Sequence, residues 1–170
     1  SPKFLHPGPG FGGSCFPKDT KALVEIAKNY KINMAVVTAA IEANNFQRKR
    51  MLNKLNELLD NNLKGKVIAI LGLAFKQETD DVRESPAIDI ISGIHDKGGI
   101  IKAYDPIAND SMKEIFPALD FKSNWHKAVE GSDAAVIMTE WNEFRGMDLE
   151  KLKFLMSQPV VLDTRNILNI

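Results

Sequence analysis

The sequence predicts an α/β fold, a doubly wound parallel sheet preceded by a long helix of an all-α region. Three observations predict it. Four short runs, Lys66–Gly72, Ile100–Tyr104, Ala134–Met138 and Val160–Asp163, are largely apolar, as strands are when both faces are covered. Helical segments separate them, and a βα rhythm of this kind implies a parallel sheet. Ahead of them, Met34 to about Asp60 reads as one long helix.

Taken in order, Lys18 to about Tyr30 predicts a short helix with Leu23, Ile26 and Ala27 on one face. Asn29 and Asn33 bracket a break. In the long helix Met34, Val37 and Ile41 form one apolar stripe and Leu52, Leu55 and Leu59 another, around a polar middle from Asn44 to Arg50. At 1.5 Å per residue it would run roughly 40 Å, long enough to join two domains or to pack against a copy of itself. The run Arg48-Lys49-Arg50 is expected to be a solvated face. Asn61, Asn62 and Gly65 stop the helix. Ser85–Lys97 predicts a helix, with Pro86 in its first turn and Gly98-Gly99 as its stop. Ser111–Ile115 and Trp125–Val129 are expected to be helical. Residues 1–62 are therefore expected to form one unit and residues 63–170 a second.

Composition narrows the function. Lysine plus arginine and aspartate plus glutamate balance at 22 each, so no basic footprint argues for nucleic acid or an anionic membrane. No apolar run approaches the ~20 residues of a membrane span. The single cysteine excludes an internal disulfide and points to a reducing compartment, hence a cytoplasmic location. Ser1-Pro2-Lys3-Phe4 enters almost directly on a glycine-rich loop, and the chain is expected to be part of a longer protein.

That loop, Gly8-Pro9-Gly10-Phe11-Gly12-Gly13-Ser14-Cys15-Phe16-Pro17-Lys18-Asp19, holds the cysteine. Four glycines in six positions are expected to let a bound molecule approach bare backbone. Pro17 suits a helix start, so Cys15 would meet unpaired N–H groups and the positive end of the dipole, with Lys18 nearby; both favour the nucleophilic thiolate. Gly8, Gly10 and Gly13 formally match a dinucleotide fingerprint, but Phe4-Leu5-His6-Pro7 is too short and proline-broken to be the strand that fingerprint needs. The turn after the first strand, Gly72-Leu73-Ala74-Phe75-Lys76, has one glycine and no phosphate fingerprint. The second unit is thus Rossmann-like without the usual means of holding NAD. It offers instead Phe75, Lys76 and, after the last strand, Arg165, a set suited to a diphosphate. Trp141 is left open between packing and base contact; Trp125 and His126 are expected to be core or surface.

GFGGSCFPKD, the block from Gly72 to Pro86 and Asp163-Thr164-Arg165-Asn166 together resemble, in order and over essentially the whole chain, the UDP-glucose 6-dehydrogenases, within the UDP-glucose/GDP-mannose dehydrogenase family. The resemblance implies oxidation of a sugar-nucleotide C6 alcohol to a carboxylate in two NAD-dependent steps, through a thiohemiacetal and a thioester on Cys15. Asp19, one helical turn on, would orient the hydrolytic water or a lysine. The residues from His6 to Gly12 (His6, Pro7, Gly8, Pro9, Gly10, Phe11, Gly12), with Phe75, Lys76 and Arg165, would contact the UDP-sugar. Cys15, Lys18 and Arg83 would face NAD, and the long helix would form a homodimer. The family's NAD domain, its catalytic Lys and Asn and a further arginine have no match in this sequence. GDP-mannose 6-dehydrogenase and a non-catalytic nucleotide-sugar module remain alternatives. A thiol acyl-transfer enzyme would need a histidine beside Cys15, and His6 lies in a loop while His95 lies mid-helix.

Overall fold

The computed structural model describes residues 6–168. Helix α1 (Phe16–Asn29) and helix α2 (Ala35–Leu58) lead into an alternating series. It runs β1 (Val67–Leu71), α3 (Pro86–Asp96), β2 (Ile100–Tyr104), α4 (Asn109–Ile115), β3 (Asp120–Phe121), α5 (Trp125–Val129), β4 (Ala134–Ile137), α6 (Asn142–Arg145), α7 (Leu149–Leu155) and β5 (Val160–Asp163). All strand pairs are parallel, in the order β3-β2-β1-β4-β5. The chain winds outward from β1 to one edge and then returns to the other side of β1. The switch point therefore lies between β1 and β4, where such sheets bind ligands beyond their carboxyl ends. Register keeps those ends level: Leu71 pairs with both Tyr104 and Ile137, and Ile137 with Asp163.

Strand alternation splits the core in two. Ile68 and Ile70 face α2, α3 and α4 through Leu55, Ile90 and Met112. Ala69 and Leu71 face the other layer, with Trp125, Phe144 and Leu152. Met51 and Leu55 of α2, and Leu59 at its C-cap, lie in the first cluster, so the second half of the long helix is part of the sheet's core. Its 24 residues span about 36 Å. Asp60 and Asn61, both at positive φ, turn the chain out of it. Ser85 caps α3: its Oγ accepts from Ala87 N and donates to Leu73 O at 2.7 Å, tying the helix start to the turn after β1.

Several expectations need correcting. The sheet has five strands, because the two-residue β3 is too short to leave a pattern in the sequence. Helices α6 and α7 also went unpredicted. Of the face expected on α1 only Ala27 is buried, while Leu23 and Ile26 are exposed. Val37 and Ile41 are half-buried on α2, which packs against α1. Arg48, expected to be solvated, is buried.

Candidate active site at the loop–sheet junction

The glycine loop lies between α2 and the turns that follow β1. On the helix side Asn44 Oδ1 accepts from Phe11 N at 2.7 Å, and Asn44 Nδ2 donates back to Phe11 O at 3.2 Å. Gln47 Nε2 donates to Gly8 O at 2.9 Å, and Arg48 Nη2 to Phe11 O at 2.6 Å. On the sheet side Gly13 N donates to Arg83 O at 2.9 Å. The glycines serve this packing. A Cβ on Gly12 would overlap the Glu84 carbonyl oxygen, and one on Gly13, at φ +88°, would meet the Phe75 ring at 2.9 Å. The expectation that they open the backbone to a ligand is thus replaced at these positions by close approach of the chain to itself.

Cys15 is exposed and occupies the N-cap of α1, followed by Phe16 and Pro17 in the first turn. Its side chain makes no capping hydrogen bond, so the expected contact between the thiol and the unpaired N–H groups of the first turn is not made. Ser14 Oγ lies 3.7 Å from Sγ. Asp19 N donates to Cys15 O at 2.8 Å, one turn along. The Asp19 carboxylate is exposed and pairs with Lys18 at 3.8 Å. Arg83 is exposed and makes three hydrogen bonds to Asp81, from its backbone N at 3.0 Å, Nε at 2.9 Å and Nη2 at 2.8 Å. The Arg83 guanidinium pKa is raised, first by its hydrogen bond to Asp81 and then by that group's charge, with the charge of nearby Cys15 adding in the same direction. The Asp81 carboxyl is held below its ordinary value chiefly by the Arg83 hydrogen bond, against the opposing push of burial. A lowered folded pKa means the pair stabilises the turn fully above the unfolded carboxylate value of about 3.9. That stabilisation is lost as pH falls through the lower folded value.

Across the rim, Arg165 Nε donates to Met138 O and Nη2 to Phe75 O, each at 2.9 Å. Glu140 Oε2 sits 3.2 Å from Nε as a charge contact, without an aligned hydrogen bond. Burial lowers the Arg165 pKa and Glu140 opposes it. Lys76 Nζ lies 5.3 Å from the centroid of the Phe75 ring, a cation–π contact. Gly8 reaches this group too, since a Cβ there would stand 3.1 Å from Arg165 Nη1. Gly8, Gly13, Phe75, Arg83 and Arg165 are therefore brought to one rim. Gly10 and Phe11 face α2 instead, Pro9 is buried, and His6 and Pro7 are exposed at the start of the described loop.

The turn after β1 has its own occupant. Asp105 Oδ2 accepts from Leu73 N at 2.7 Å, Ala74 N at 3.3 Å and Trp141 Nε1 at 3.2 Å, while Oδ1 takes Ile107 N and Ala108 N. The amides that cradle a pyrophosphate in a dinucleotide domain are thus bonded to a carboxylate of the chain itself. A dinucleotide does not fit this turn. Trp141 belongs to the same packing, and Trp125 is buried with its ring stacked on His126 at 3.6 Å.

Sequence reasoning missed Asn44, Gln47 and Arg48. Their spacing of three and four puts them on one face of α2, and a polar stripe amid apolar ones was the signal. It also missed Asp105, whose role depends on the turn it meets in space.

A doubly wound parallel sheet with a basic rim at its switch point defines a Rossmann-like α/β domain, here with a thiol-bearing loop docked on it. Residues 69–170 match the UDP-binding domain of the UDP-glucose/GDP-mannose dehydrogenase family, and residues 1–46 match that family's central domain. The chain belongs to the UDP-glucose/GDP-mannose dehydrogenase family. It is 46% identical to a UDP-glucose 6-dehydrogenase of Rickettsia bellii, over 97% of this chain and 38% of that protein. It is 44% identical to the UDP-glucose 6-dehydrogenase TuaD of Bacillus subtilis, over 99% of this chain and 36% of that protein. Among solved structures it resembles a UDP-glucose dehydrogenase from Pyrobaculum islandicum, with a TM-score of 0.85 and 30% identity, over 94% of this chain and 35% of that one. A UDP-D-ManNAc dehydrogenase from Pyrococcus horikoshii gives a TM-score of 0.81 at 30% identity, over 95% and 36%. The chain thus spans less than two-fifths of the length of these relatives.

Proposed function

We propose that this chain is the sugar-nucleotide half of a cytoplasmic UDP-glucose 6-dehydrogenase. In this reading, residues 1–62 carry the nucleophile loop and the dimerisation helices, and residues 63–170 bind the UDP-sugar. The observation that carries the reading is the docking of the Cys15 loop, through the Gly13–Arg83 bond and the Gly8–Arg165 approach, onto the rim built by Phe75, Lys76 and Arg165. Lys76 and Arg165 hold the diphosphate, with His6, Pro7 and Gly8 of the loop toward the sugar. The aldehyde of the first oxidation is held on Cys15 Sγ as a thiohemiacetal, with its carbonyl oxygen taking up a proton. Loss of a hydride from that carbon, with release of the hydroxyl proton, gives the thioester. Water, oriented by Asp19, then cleaves it, releasing the carboxylate and restoring the thiol. Cys15, Lys18 and Arg83 would face NAD from this side of the cleft, and bound NAD would supply the hydride acceptor for both oxidations.

The specificity test is calorimetric titration of the full-length protein with UDP-glucose and with GDP-mannose. UDP-glucose is expected to bind at least tenfold more tightly, and equal or reversed affinity would contradict the assignment. In the same assay Arg165→Lys should lose roughly 1–3 kcal/mol of affinity, because a point charge cannot replace the fork and leaves Phe75 O and Met138 O without their donor. Unchanged affinity would remove Arg165 from the diphosphate.

The homodimer is also a proposal, supported by exposed apolar side chains on the two helices, among them Ile26, Tyr30, Val36 at 83% and Phe46 at 68% exposure. Burying each is worth roughly 1.5–3 kcal/mol. Val36→Asp combined with Phe46→Asp should convert a sedimenting dimer to monomer; an unmutated chain that is monomeric at micromolar concentration would exclude the dimer.

A further inference from the structure

We propose that Arg48 is a positioning residue that sets where the Cys15 thiol stands relative to the sugar-nucleotide rim. The inference rests on Cys15 being the nucleophile. Arg48 lies at the middle of α2 and retains only 9% of its surface. One guanidinium bonds three separate segments: Nη1 donates to Asp89 on α3 at 2.6 Å, and Nη2 to Phe11 O at 2.6 Å and Glu84 O at 2.7 Å. Phe11 lies four residues before the thiol. Glu84 adjoins Arg83, whose carbonyl receives Gly13 N. Arg48 therefore clamps the loop and the turn it docks on at one point. The same helix drives Met51 and Leu55 into the core of the sheet, so the loop hangs from an element rigidly joined to the domain that carries the rim.

Chemistry makes Arg48 hard to replace. Only a planar group with several fixed donors reaches three acceptors on three segments; a lysine ammonium on a flexible stem would satisfy fewer. Nε is buried with no hydrogen-bond partner, an arrangement that costs stability. Its persistence suits a group retained for geometry more than for stability. Asn44 acts beside it, holding both the N–H and the carbonyl of Phe11.

The test uses the full-length protein with Arg48→Met, Arg48→Lys and Asn44→Ala. A misplacement of about 1 Å at a reacting group can cost on the order of 10²-fold in rate. Arg48→Met should accordingly lose about 10²-fold in kcat with UDP-glucose while KM changes less than about threefold, with Arg48→Lys in between. Hydrogen exchange across Gly8–Phe16 should rise in all three variants while exchange in the β1 peptide stays as in the unmutated protein. Exchange is measured without substrate, so it reads loop position whichever sugar nucleotide is turned over. A folded Arg48→Met variant with kcat within threefold of the parent, or a loss expressed mainly in KM, would overturn the proposal. Should Arg48→Met fail to fold, Arg48→Lys decides, because it keeps the charge beside Asp89 and cannot hold Phe11 O and Glu84 O together: raised loop exchange with lowered kcat supports the clamp, and parental exchange overturns it.

Discussion

Cys15→Ala in the full-length protein is expected to lose conversion of UDP-glucose to the acid by roughly 10³-fold or more, with sugar-nucleotide affinity close to that of the parent. The thiol is exposed and makes no capping hydrogen bond, so its removal breaks no buried contact and should cost little stability. Cys15→Ser separates the chemistry further. A hydroxyl is a far weaker nucleophile and a poorer leaving group near neutral pH, so turnover should stall at hydrolysis, and an ester-linked sugar should appear as a mass increment on the peptide containing Ser14. Product assay with calorimetry reads both variants. An alanine variant forming the uronic acid at a near-normal rate would remove the nucleophile assignment.

Gly12→Ala should be nearly as damaging through geometry alone. Its Cβ would overlap the Glu84 carbonyl oxygen, and because that neighbour is backbone, the loop itself must move. Displacement of about 1 Å should lower kcat on the order of 10²-fold. Overpacking should also take roughly 1–3 kcal/mol from stability. Affinity for UDP-glucose should fall less, since Arg165 and Lys76 are untouched. Steady-state kinetics with a thermal melt would check this; a variant with parental kcat would mean that the loop tolerates distance from the Glu84 turn.

The sheet was legible because each long strand is a largely apolar run, fully buried in β4 and nearly so in β1, half-buried in β5, and such runs advertise themselves whichever face they serve. Ile100–Tyr104, Trp125–Val129 and Val160–Asp163 have the predicted limits. The edge strand β3 left no trace, since two residues cannot show a period. Helix α1 misled because Leu23 and Ile26 have helical spacing yet remain exposed, and amphipathic spacing does not distinguish a face against the chain's own core from one open to a partner. The loop stood out in the sequence by its lone cysteine and its glycines, and the glycines at 12 and 13 proved to be there for packing. Arg48 was not legible: in sequence it sits in a basic run, and only the fold sets it between Asp89, Phe11 and Glu84. Asp105 escaped for the same reason, its five donors coming from three separate segments.

The central claim is that the thiol and the sugar-nucleotide rim form one site. Competition between alkylation and substrate tests it most directly. Full-length protein is treated with iodoacetamide, with and without saturating UDP-glucose and without NAD, and carbamidomethylation of the Cys15 peptide is followed over time by mass spectrometry. One site predicts rapid modification of free Cys15, slowed at least tenfold by UDP-glucose, with the protection lost in Arg165→Lys at the same ligand concentration. Modification of Cys15 at one rate with and without bound UDP-glucose would contradict it.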